Sequence, residues 1–312
     1  MPHSFELKKS ATFVIPVTPR ADSLSVAPLV DENEQEVLSF LACADSVQAI
    51  FMTGLVRDNG LESPFNRGIF YGARRDYDRE LVGVALVGHA TLVETSEDSA
   101  LRTFAHISRE IPGAHVHLGP QQSIRRFWHY YSRGGQRARL FCRELLFEMR
   151  EEWLPEIEEI KGLRLATLDD LAYVMPVQAC MAFEESGVNP METDAVGFRL
   201  RCARRIEQGR VFVWIEEGRL IFKADILADT ARAVYLEGVY TSPSARNHSY
   251  GSRCLLQTAR TLFSRTRSVV LLVNEQNRKA QEFYRRTGFE FRGFYDTIYL
   301  QKDYGQKMEG LS

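Results

Sequence analysis

Strand-like and helix-like stretches alternate along this chain in one order, and the order is run through twice: antiparallel strand material, then helix, strand, helix, strand. Such alternation calls for a mixed sheet with helices packed on its faces, an α/β (α+β) architecture. Between the two runs lies 148–161, a strongly charged stretch with Pro155 inside it, whose plain reading is a linker. The 312 residues suffice for two cores of about 150 residues each. The expected organisation is an irregular leader over 1–30, a first domain over 31–150, a linker over 151–161, a second domain over 162–305 and a tail over 306–312. Each domain is expected to have a mostly antiparallel central sheet. No residue-level repeat accompanies the shared rhythm.

In the first half, Val37, Phe40, Leu41, Ala44, Val47, Ile50 and Phe51 recur at helical spacing and predict one helix over 34–55. Strands are expected at 68–73 and 81–93 as a hairpin, then a helix over 99–110, a strand over 114–118, a helix over 121–132 and a strand over 138–147. In the second half a strand over 163–166 leads to Thr167 and Asp170, spaced as a capping box. Helices to 185 and over 195–208 follow, then strands over 211–216, 220–228 and 232–241. The helix 248–265 carries Leu255, Ala259 and Leu262 on one stripe. The strand 268–273 is apolar throughout, as a strand buried on both faces would be. A helix over 277–287 ends at Gly288, a C′ glycine, before a last strand or hairpin over 289–300.

The chemically informative segment runs from Leu236 to Cys254: a strand, a turn of small residues, then a helix. Unpaired N–H groups at a helix start, with the partial positive charge of the helix dipole, hold a diphosphate without needing a lysine. Gly251 and Ser252 keep bulky side chains away from that backbone. At these residues the sequence resembles the GNAT superfamily of acyl-CoA N-acyltransferases. Arg246-Asn247-His248-Ser249-Tyr250-Gly251 is similar to its pyrophosphate signature R/Q-x-x-G-x-G/A, preceded by a strand end at Val239-Tyr240-Thr241. The family's second motif, V-N-x-x-N-x-x-A-x-x-x-Y-x-x-x-G-F, matches Val273, Asn274, Asn277, Ala280, Tyr284, Gly288 and Phe289. One position departs: Ser249 stands where the signature has its first glycine. If that position needs a positive φ, the serine is strained there, or its hydroxyl bonds a phosphate oxygen.

The resemblance implies a set of roles. Backbone N–H groups of Val239, Tyr240 or Thr241 polarise the thioester, Asn277 helps align pantetheine, Asn274 is a further cofactor-binding candidate, and Tyr284 protonates the departing thiolate. Acetyl-CoA is the implied co-substrate and a primary amine the implied acceptor, joined by direct attack in a ternary complex. The attacking amine must lose a proton, and Glu237, sharing a strand face with Val239 and Thr241, is the candidate base. The first half has neither motif, so it is expected to be a degenerate copy, the element order being that of tandem GNAT proteins.

Other features have plainer readings. Asn274 also suits a cap or loop-shaping role, and Arg278 and Lys279 a solvated helix face, although they could meet the 3′-phosphate of CoA. Glu184 and Glu185 read either as an exposed helix end or as a lure for a cationic amine; Arg199, Arg201, Arg204 and Arg205 read as solvated. His115 and His117 share a strand face without a third ligand nearby, so no metal is expected. The five cysteines are scattered, which suits a reducing compartment, and Cys254 falls inside the helix, where it makes a poor acyl carrier. A formal charge of −2 gives no bulk pull towards nucleic acid or an anionic membrane. The longest apolar stretch, 81–93, falls short of the ~20 residues of a membrane helix, and 13–17 is too short for a signal-peptide core. A cytoplasmic protein is therefore expected, with self-association left open. The alternative function is a non-catalytic CoA-binding sensor or interaction protein that kept the fold.

Overall fold

The computed structural model describes residues 23–301 except Pro112. The expected tail at 306–312 and most of the expected leader lie outside the described residues. In the first half, β1 (Leu24–Pro28), α1 (Glu34–Ala42), α2 (Val47–Asn59), β2 (Gly68–Arg75), β3 (Leu81–Gly88), β4 (Ala90–Thr95), α3 (Asp98–Glu110), β5 (Val116–Pro120), α4 (Gln121–Tyr131) and β6 (Ala138–Arg150) follow in order. The second half supplies β7 (Leu163–Leu165), α5 (Leu171–Ser186), α6 (Pro190–Thr193), α7 (Ala195–Glu207), β8 (Val211–Glu216), β9 (Arg219–Asp229), β10 (Ala233–Thr241), α8 (Tyr250–Phe263), β11 (Ser268–Asn274), α9 (Arg278–Arg286) and β12 (Glu290–Leu300).

The twelve strands among the described residues join one sheet in the order β1-β2-β3-β4-β5-β12-β6-β11-β10-β9-β8-β7. The last strand of each half has crossed over. β12 lies between β5 and β6, while β6 lies between β12 and β11. Among the described strands, β4–β5 and β10–β11 pair in parallel and the other neighbours are antiparallel. Read inwards from either end, the sheet presents the same series, five strands of one half and then the final strand of the other. The crossing places Phe147 and Met149, both fully buried, in one core with Leu255, Ala259 and Leu271 of the second half. Burying a side chain of that size contributes about 1.5–3 kcal/mol, so the two halves stabilise each other through side chains as well as ladder bonds.

Two sequence expectations need correction. The single helix over 34–55 is two helices, because the Ser46 hydroxyl accepts from the Ala49 N–H and caps a fresh start at α2. The single strand over 81–93 is two, since the chain reverses at Gly88. A Cβ there would stand 2.2 Å from the Arg67 carbonyl oxygen, so only glycine allows this approach. The Thr167–Asp170 capping box forms, with Thr167 N donating to Asp170 Oδ2 at 2.8 Å.

Candidate functional site

The site begins where β10 loses a neighbour. It pairs in parallel with β11 over Ala233–Leu236 against Ser268–Leu271, after which the pairing stops although both strands continue. On the other side, the ladder with β9 shifts register between Glu237 and Tyr240, where Gly238 adopts φ +59°. This is a β-bulge, and it re-aims the peptides around it. Val239, Tyr240 and Thr241 thus line a wedge between the two strands. An extended ligand bearing amides can pair with a strand edge opened in this way.

The turn beyond Thr241 brings backbone N–H groups to the wedge. Pro243–Ala245 forms a single tight turn, and Ala245 is buried beneath it. Arg246 Nε donates to the Thr241 carbonyl at 3.1 Å, folding the turn back onto the strand end. Asn247 (φ +66°) and Ser249 (φ +60°) are both left-handed, and Ser249 is the N-cap of α8 with no side-chain capping bond. The conformation reserved for the signature glycine is therefore present, occupied by serine. Asn247, His248 and Ser249 are exposed, whereas Tyr250 packs edge-on against Trp214 at 5.1 Å. Gly251 is buried, and a Cβ there would meet Thr241 Oγ1 at 2.6 Å; glycine is needed for helix and strand to touch. Ser252 follows in the first turn of α8.

Across the wedge, Asn274 Oδ1 accepts from Gln276 N at 2.8 Å, and Asn277 Oδ1 caps α9 by accepting from Ala280 N at 3.1 Å. Asn277, read as a pantetheine ligand, thus also holds the helix start, and Asn274 shapes the loop before it. Tyr284 is buried against Phe147, Phe283 and Phe289. Burial raises the pKa of its hydroxyl, and the Glu185 charge adds to the effect, so it stays protonated at neutral pH.

Glu237 is not alone on its strand face. Its Oε1 receives Arg205 Nη1 at 2.6 Å, and the same guanidinium nitrogen reaches Asp225 Oδ2 at 3.0 Å. Lys223, wholly buried, donates to Asp225 Oδ1 at 2.7 Å and to the Gly238 carbonyl at 3.2 Å. Burial disfavours the Arg205 charge, but Glu237 and Asp225 outweigh it and its pKa is raised. Arg205 is therefore not the solvated residue its helix suggested. The signal was present: Arg205 follows Phe198 by seven and Cys202 by three, on the buried stripe of α7. Lys223 and Asp225, opposite charges two apart in an apolar strand, were a second overlooked sign. Arg201 instead pairs with Asp194, and Arg204 lies over the Phe65 ring at 3.7 Å.

A cavity of about 590 Å³ opens beside the wedge, walled by Arg125, Trp128, Phe141 and Arg143 of the first half and by Glu185 and Asn274 of the second. Glu185 is reached by solvent yet ringed by cleft walls. That crowding, with the charges of Glu237 and Glu144, raises its carboxyl to about 7, against a smaller opposing pull from Lys223. Glu144, from β6, is raised by burial and by Asp296 although Thr297 donates to it. The Glu185 carboxylate makes no ion pair or side-chain hydrogen bond among the described residues.

His115 and His117 do not converge. His117 is buried against Phe127 and Tyr131, its pKa lowered to about 3 by burial, while His115 stacks on His89 at 5.0 Å. No group of three or more metal-ligating side chains occurs among the described residues, and none of their helices is long and apolar enough to cross a membrane. In the first half, β4 passes into α3 through Ser96 and Glu97 alone. Asp98 opens that helix, held by Tyr130 Oη at 2.6 Å, and Glu97 pairs with Arg75 at 3.1 Å. Carboxylates occupy the helix end that a phosphate would need.

With this geometry established, the comparisons identify the class. Residues 178–289 match the model of the Acetyltransferase (GNAT) family, and this part of the chain is a GNAT domain. The first half has a GNAT-like fold as well, since solved structures align along nearly the whole length. An acetyltransferase of the GNAT family from Colwellia psychrerythraea aligns at TM-score 0.55 and 11% identity, over 90% of this chain and 100% of its own. A tandem GNAT protein from the clavulanic acid biosynthesis pathway aligns at 0.54 and 12%, over 90% and 100%. A GCN5-related N-acetyltransferase from Sphaerobacter thermophilus aligns at 0.56 and 14%, over 88% and 95%. At such identities the likeness is one of fold. No curated protein matches the chain.

Proposed function

We propose that the protein transfers an acetyl group from acetyl-CoA to a primary amine by direct attack in a ternary complex. The observation that carries this reading is the wedge between β10 and β11 opening beside the left-handed turn at the start of α8. Pantetheine would pair with Val239–Thr241, and the diphosphate would meet the N–H groups of the turn from Arg246 to Ser252, with Asn274 and Asn277 across the wedge. The second half, residues 162–305, carries the chemistry in this reading, and the first, residues 31–150, walls the cavity through which the amine arrives.

The amine passes a proton to a carboxylate, attacks the thioester carbon, and the C–S bond breaks as Tyr284 protonates the thiolate. The amide nitrogen's second proton returns to Tyr284 through water. Of the two carboxylates, Glu185 is the better acceptor: it has no ion-pair partner among the described residues, whereas Glu237 holds Arg205. An acyl-cysteine route is disfavoured because burial pushes the Cys254 thiol up to about 12.

The test is calorimetric titration with acetyl-CoA, followed by a screen of primary amines for thiol release, with Tyr284→Phe as the control. Binding with amine-dependent release that Tyr284→Phe slows by about 10²-fold or more supports the reading. Binding without release for any amine leaves the CoA-binding sensor in its place.

A further inference from the structure

Lys223 performs no step in the chemistry above, yet it is wholly buried in the run Leu220–Ala228, which is apolar but for Lys223 and Asp225. Its Nζ is shared between Asp225 Oδ1 at 2.7 Å and the Gly238 carbonyl oxygen at 3.2 Å. That carbonyl belongs to the bulge peptide, where the ladder with β9 is out of register and φ of Gly238 is +59°. A Cβ on residue 238 would stand 2.8 Å from Nζ, so glycine is also what admits the ammonium.

The peptide is planar and trans, and the N–H of Val239 therefore points opposite to the carbonyl of Gly238. With the oxygen held by the ammonium, the N–H is turned away from Lys223, at a position beyond Leu236 where β10 no longer pairs with β11. Phe222, Ala224 and Ile226 pack on the α8 side of the sheet, while Lys223 and Asp225 face α7 through Arg205. The ammonium thus approaches from the face opposite the candidate phosphate turn, where it cannot compete for the ligand. A cation on a carbonyl oxygen draws electron density through the amide and makes its N–H a stronger donor.

We propose that Lys223 is a positioning residue, whose bond to the Gly238 carbonyl fixes and polarises the bulge peptide so that the Val239 N–H serves as the oxyanion donor to the thioester. This rests on the reading of β10 as the strand that binds acetyl-CoA. A fixed donor aimed at the developing charge needs no reorganisation during the reaction, the condition under which such donors act most strongly.

The experiment is isotope-edited infrared spectroscopy of acetyl-CoA labelled with ¹³C at the thioester carbonyl, bound to wild type and to Lys223→Met. Methionine keeps much of the volume, and Asp225 retains Arg205 as its partner. The expected result is a carbonyl stretch lowered on binding to wild type and moved back towards the free value in Lys223→Met, with acetyl-CoA affinity kept within about threefold. Should Lys223→Met fail to fold, Asp225→Asn keeps the side-chain volumes but removes the anion anchoring Nζ, and is expected to shift the band the same way by less. An unaltered low-frequency band in a folded variant overturns the proposal, as does an unshifted band in wild type that binds. Wild type that binds no acetyl-CoA overturns instead the parent reading of β10.

Discussion

Gly251→Ala strains the proposed phosphate turn at its tightest point. The new Cβ would stand 2.6 Å from Thr241 Oγ1 and 3.5 Å from the Phe283 ring, the first being about 0.8 Å inside ordinary contact. Thr241 is β-branched and stiff about χ1, so it does not readily turn aside. The start of α8 must then lift from the strand end by a similar amount. An N–H···O bond stretched from about 2.9 Å to about 3.7 Å is lost. Losing one charge-assisted bond to the diphosphate removes about 1.5–3 kcal/mol, which weakens acetyl-CoA roughly tenfold to a hundredfold. The overpacking itself costs about 1–3 kcal/mol of stability, read as a lower urea midpoint. The assay is calorimetry with acetyl-CoA beside S-acetylpantetheine, which lacks the diphosphate. The first should weaken and the second stay within about twofold. Equal weakening of both, or undiminished acetyl-CoA binding by the folded variant, refutes the placement of the diphosphate.

Ser249 sits at φ +60° without a capping bond. Relief of about 1–2 kcal/mol of left-handed strain, less about 0.4–1 kcal/mol for the freer unfolded chain, leaves Ser249→Gly modestly stabilised in urea, while Ser249→Ala is not; matching midpoints for the two sink the strain account. Glu185, pushed up to about 7, is protonated and cannot accept a proton below that pH. The rate with any productive amine should therefore climb with pH through 7, and Glu185→Gln should abolish that limb; a limb that persists assigns the proton to another group.

The residues of the turn were legible because their contacts are local. Arg246 folds back on Thr241, Ser249 stands left-handed at the start of its own helix, and Asn277 bonds Ala280 three residues on. Tyr284 could be placed by the apolar spacing of its helix for the same reason. The Ser249 departure was readable too, since a left-handed residue at a helix start is a property of a few consecutive dihedrals.

Alternation and apolar runs determined the elements, their order and the mixed character of the sheet, since backbone geometry converts spacing into a buried face. They did not decide which strand lies beside which. Ladder bonds join one backbone to another whatever the side chains, so β6 and β12 read equally well as strands of their own halves. Only packing of the whole chain placed β12 against β5 and β6 against β11. That crossing brings Glu144 of the first half to act on Glu185 of the second. Arg205 meets Glu237 across 32 positions and Lys223 meets Gly238 across 15. A charge's partner at such distance is chosen by folding, because burial makes an unpaired charge too costly to leave.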